Sequence, residues 1–94
     1  MSTTPAPVSH AAHQLMQRLL NLKDARFVDA SKITAIVVTL GIRELEARIY
    51  FLREIHGIVR KLPLKIYGDE QNRQRFLTAV QDALDQVIEE EDEE

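Results

Sequence analysis

His10 and His13 stand three residues apart, a spacing that can turn two imidazoles to one side of a helix and let them share a divalent ion. No third ligand and no HExxH pattern accompany them, so they read as surface histidines near a helix start. His56, two residues after Glu54, reads as a solvated turn residue. Glu44 and Glu46 are a carboxylate pair of the kind used for acid–base work, which needs a pocket that raises one pKa. With Arg43 and Arg48 alongside, they read instead as a salt-bridged surface. Gly41, Gly57 and Gly68 are isolated and form no phosphate-cradling loop. Cysteine is absent, which removes disulfides, thiolate metal sites and cysteine nucleophiles together. No catalytic, metal-ligating or cofactor-binding residue is assigned, and the chain is not expected to be an enzyme or to use a cofactor.

A different constellation joins Arg48, Tyr50, Lys61, Lys65 and Tyr67. On the outer face of an antiparallel sheet these would interleave aromatic rings with cations. Single-stranded nucleic acid is held that way, with bases stacked and phosphates paired. A protein partner could use the same face. Glu44 and Glu46 share that face and weaken its positive field.

The elements that position these residues hinge on two competing periodicities. Leu45, Ala47, Ile49 and Phe51 alternate with Glu44, Glu46, Arg48 and Tyr50, as on a half-buried strand. Ile42, Leu45, Ile49, Leu52, Ile55, Val59 and Leu62 also form one helical face. Upstream, Ile33, Thr34, Ile36, Val37, Val38 and Thr39 place β-branched side chains at almost every position, which predicts a buried strand over Lys32 to Leu40. The preferred fold class is α+β: an N-terminal helix, a short antiparallel sheet with a hairpin of residues 45–51 and 58–66, and a C-terminal amphipathic helix. One alternative is βαβα, with residues 42–62 helical. The other is a winged helix-turn-helix. There Leu40-Gly41-Ile42 resembles the turn between two such helices, after Ile33, Ile36, Val37 and Leu40, and Gly57 to Lys61 resembles the start of a basic wing. Leu45 follows Gly41 too soon and Val37 is bulky for that pattern, so no family is assigned.

The outer elements are plainer. Ser9 is a fair N-cap, and Ala12, Leu15, Met16, Leu19 and Leu22 recur at helical spacing. Asp69 caps the last helix, in which Phe76, Leu77, Val80, Leu84, Val87 and Ile88 form one face. The expected core joins Leu15, Leu19, Ile33, Val37, Ile49, Phe51, Leu62, Leu64, Phe76, Leu77, Val80 and Leu84. Residues 1–8 read as a disordered arm, 9–88 as a single domain and 89–94 as an acidic tail that frays, because six acids oppose the macrodipole at a helix C-terminus.

The net charge of −3 hides two parts: without the tail, 12 Lys and Arg face nine acids. No signal-peptide pattern and no bilayer-length apolar run is visible, which predicts a cytoplasmic protein without membrane association. The leading functional expectation is a small non-enzymatic binding or adaptor protein that works through protein–protein contacts as a homodimer. The alternative is a nucleic-acid-binding regulatory protein. No small-molecule substrate is identified.

Overall fold

The computed structural model describes residues 9–22 and 24–92. They form four α-helices and two 3-10 turns, with no strand among them. The expected α+β class is therefore overturned, and with it the sheet, the hairpin and the βαβα alternative. The proposed arm at residues 1–8 lies outside the described residues, as do Glu93 and Glu94.

Helix α1 (His10–Asn21) begins as its sequence suggests. Ser9 Oγ accepts from Ala12 N at 3.1 Å. The Glu54 carboxylate takes Ser9 N and Oγ, each at 3.1 Å, so an acid from a distant helix sits at the positive end of α1. Ala12, Leu15, Met16 and Leu19 are buried. A 3-10 turn (Ala25–Phe27) follows, capped by Asp24.

The β-branched run is helix α2 (Ala30–Thr39), not a strand. Both ends are fixed locally. Asp29 Oδ1 accepts from Lys32 N at 2.8 Å. At the other end Gly41 takes φ 93°, its N donates to Val38 O, and Ile42 N donates to Val37 O. That is a Schellman cap, which a left-handed glycine closes without a Cβ penalty. Ile33 and Val37, four apart, are fully buried. Their burial and the two caps outweigh the propensity cost of β-branched residues, a few tenths of a kcal/mol each.

Residues expected to form the hairpin make helix α3 (Leu45–Lys61) and a second 3-10 turn (Leu64–Ile66). The alternation ends at Phe51-Leu52, where two adjacent side chains are both buried. The longer stripe of Ile49, Leu52, Ile55 and Val59 prevails. The supposed wing at Gly57 to Lys61 is the end of α3, so the winged alternative fails as well. Pro63 stands just beyond the helix, where it cannot continue it.

Helix α4 (Glu70–Asp92) runs antiparallel to α3, with α2 and the first 3-10 turn against it and α1 against the other helix. Against the expectation of fraying at Glu89, α4 continues to Asp92. Its acidic end lies beside the start of α3, where Arg48 Nη1 comes within 3.7 Å of Glu90 Oε2. The positive pole of α3 offsets the acids that oppose the pole of α4. Of the expected core, Leu62 and Leu77 are half-buried and Leu64 is exposed; Leu52, Ile55 and Val59 from the helical stripe of α3 and Val87 from the apolar face of α4 join the core in addition.

Candidate interaction surfaces

The residues proposed for one aromatic–basic face do not share one. Tyr50, on α3, is 65% exposed, whereas Tyr67 is 4% exposed. The Tyr67 hydroxyl donates to Val59 O at 2.9 Å, and its ring lies 5.4 Å from that of Phe76, tilted by 51°. Burial pushes the Tyr67 phenol above the ordinary range, which holds it as a donor. Arg48 is half-buried: Nη2 donates to Arg43 O and Nη1 approaches Glu90. It lies thirteen residues before Lys61 on α3, about 20 Å along a helix. Lys61, the last residue of α3, and Lys65, in the second 3-10 turn, both belong to the corner between α3 and α4, with Arg60 next to Lys61 in the chain.

Behind that corner is a buried polar knot. Asn72, in the first turn of α4, accepts from Ala25 N at 3.0 Å and donates through Nδ2 to Tyr67 O at 2.9 Å. Its own N–H donates to Asp69 Oδ1 at 2.7 Å. One side chain thus ties the first 3-10 turn, the Tyr67 segment and the start of α4. Sequence reading missed Asn72, because a lone Asn carries no periodic signal.

The carboxyls with perturbed pKa values serve structure. A side-chain hydrogen bond from Arg26 holds Asp24 below the usual carboxylate range, and raises Arg26 in turn. Gln74 and then Arg73 do the same for Glu70. A carboxyl stabilised as its anion is poorly placed to act as a general acid near neutrality. His10 and His13 are exposed on α1, and His56 is half-buried within α3 rather than in a turn. Glu44 and Glu46 are exposed at the start of α3. Among the described residues no group of three or more His, Asp or Glu side chains could hold a metal ion.

What remains is surface. An open groove of about 500 Å³ runs between the first 3-10 turn and α4, lined by Ala25, Val28, Ala30, Arg75, Thr78 and Ala79 among others. Phe27, in the same turn, is 65% exposed. Leu64 and Ile66 are each 42% exposed at the α3–α4 corner. Among the described residues no helix is long and apolar enough to cross a membrane.

The sequence model of the TyeA family matches residues 13–93, nearly the whole chain. The chain belongs to the TyeA family. No solved structure matches it. The match spans all of α2, α3 and the second 3-10 turn, and all but the first residues of α1, so TyeA membership covers the whole helical domain. It also covers the knot and every exposed apolar position named above.

Proposed function

We propose that this TyeA-family protein is a non-enzymatic binding or adaptor domain of the cytoplasm that acts by contacting other protein chains. The observation that carries this reading is where the large apolar side chains lie. Phe27, Tyr50, Leu64 and Ile66 stand exposed on a small domain whose buried polar groups Tyr67 and Asn72 are engaged in holding the fold. Exposed aromatic and aliphatic side chains near charged neighbours are the material of binding hot spots. The family assignment supports a small protein-binding domain. Self-association is the simplest form of the reading, since a small chain gains burial by pairing.

Photo-cross-linking residues at Phe27, Tyr50 and Ile66 in living cells test it, with exposed Gln81 as control. Discrete protein adducts at one or more of the three positions, and none at Gln81, are expected. Adducts at none of them overturn the reading. Sedimentation of the purified chain then separates the forms: twice the chain mass supports the homodimer, and a monomer at every concentration assigns the adducts to another protein.

A further inference from the structure

We propose that the α3–α4 corner is a docking surface for an acidic amphipathic helix of a protein partner. The proposal rests on the protein-binding reading and gives it a place and a chemistry.

Charge comes first. From Ile55 to Gly68 the chain holds no acidic residue, although it has 15 acids in all. Arg60, Lys61 and Lys65 fall in that stretch and are exposed. Among the described residues they form no salt bridge, whereas Arg26, Arg48 and Arg73 each meet a carboxylate. The acids that follow are already engaged. Asp69 caps α4, and Glu70 accepts from Arg73 and Gln74. The corner therefore keeps an unneutralised positive field on a chain of net charge −3.

Apolar surface sits inside that field. Leu64 and Ile66 are held out by the 3-10 turn, in which Ile66 N donates to Pro63 O and Tyr67 N to Leu64 O. Tyr67 is anchored behind them by Val59 and Asn72, so the turn is ordered before anything binds.

Gly57 adds a third feature. It lies inside α3, where glycine is the poorest helix former except proline. Nothing stands within 4 Å of the place its Cβ would occupy, so packing does not require glycine there. A hollow of about 250 Å³ is lined by Gly57, Arg60 and Lys61.

A helix with apolar side chains along one face and carboxylates beside them matches all three. The apolar face covers Leu64 and Ile66 and reaches into the hollow, while the acids meet Arg60, Lys61 and Lys65. A second copy fits less well. The acidic end of α4 supplies carboxylates, but its exposed side chains, Asp85, Gln86, Glu89 and Glu90, are all polar. An anionic membrane fits less well too, since two aliphatic side chains give little to insert.

The test is an NMR titration of the isotope-labelled full chain with a synthetic helical peptide carrying leucines on one face and glutamates on the other. Shift changes centred on residues 57–66 are expected. Lys61→Glu with Lys65→Glu should weaken binding by about tenfold or more, and a peptide with lysines in place of the glutamates should restore it. Gly57→Leu should leave the fold intact and block binding by filling the hollow. No binding, shifts centred elsewhere, or indifference to charge reversal would each overturn the proposal. Stronger binding to phosphatidylserine vesicles or to single-stranded oligothymidine at the same residues would overturn it in favour of that ligand. Cross-linked adducts at Phe27 or Tyr50 alongside a silent corner would leave the protein-binding reading standing and remove only this one.

Discussion

Tyr67 and Ile66 are neighbours in sequence and opposites in use. Tyr67 turns inward, donates to Val59 O and packs its ring at a tilt against Phe76. Ile66 turns outward beside Leu64 and Lys65 with no side-chain hydrogen-bond demand of its own. The knot that includes Tyr67 consumes its polar groups to fix the fold, while the corner next to it leaves cations and aliphatic surface unspent. If the corner is the proposed docking surface, stability and recognition are divided within one turn of chain, and substitutions on the two sides should separate cleanly.

The largest effect should come from the ring beneath the knot. Phe76 is 1% exposed, so Phe76→Ala should lower unfolding free energy by about 3–5 kcal/mol in a urea titration. A loss under about 1 kcal/mol would mean that α4 packs on another face and would break the comparison at its base. Next comes Asn72→Ala, which leaves Ala25 N–H and Tyr67 C=O buried without that side chain. About 2–3 kcal/mol is expected, with the first 3-10 turn losing amide protection before the rest. Leu64→Ser combined with Ile66→Ser, on the outward side, should leave the same titration nearly unchanged.

Tyr67→Phe should cost about 1 kcal/mol, the worth of one buried hydrogen bond. The same hydroxyl carries a pH signature. Its folded pKa is raised, so the neutral phenol's contribution is complete below the ordinary value of about 10 and is lost as pH rises through the folded pKa. In a Tyr50→Phe background the remaining phenol should titrate above its ordinary value by ultraviolet absorbance, and stability should fall over that alkaline window. Tyr67→Phe should abolish the fall.

α1 and α4 were legible because capping residue and apolar stripe agree: Ser9 with Leu15 and Leu19, Asp69 with Phe76, Val80 and Leu84. α2 was not, because intrinsic preference and helix boundaries disagree there. Ile33 to Thr39 reads as strand by residue type, yet Asp29 and Gly41 bracket it as a start and a stop. Those boundary signals were visible and outrank a propensity of a few tenths of a kcal/mol per residue. In α3 a short alternation over Leu45 to Phe51 competed with a stripe more than twice as long. The proposed face of Arg48, Tyr50, Lys61, Lys65 and Tyr67 inherited that error, since residues that alternate on a strand scatter around a helix. Lys61 and Lys65 still share the corner between α3 and α4, because the helix ends at Lys61 and Pro63 opens the turn that holds Lys65. The inward turn of Tyr67 depends on partners as distant as Asn72 and Phe76, which local pattern does not reveal.

Gly57 sharpens the division from the side of the corner. Replacing it with Ala adds a Cβ that meets nothing within 4 Å and restricts the unfolded chain. Thermal and urea unfolding should show a gain of about 0.5–1 kcal/mol. A loss instead would mean that α3 needs glycine's freedom at this position, and that the hollow is structural rather than available to a partner.

The smallest effect should lie at the far, acidic end of the helix pair. Glu90 approaches Arg48 at 3.7 Å, and its side chain is 56% exposed against 14% for Arg48. A loose pair whose carboxylate is largely solvated is worth little, and removing an acid from the negative end of α4 gives back part of what is lost. Glu90→Gln should therefore change stability by less than about 0.5 kcal/mol at low ionic strength. In strong salt, where screening acts within about 3 Å, the difference should disappear. A loss above about 1.5 kcal/mol would carry a different meaning, because Arg48 Nε is buried without a hydrogen-bond partner. Glu90 would then be holding a half-buried guanidinium in place, and the acidic end of α4 would belong with the knot as part of what fixes the fold.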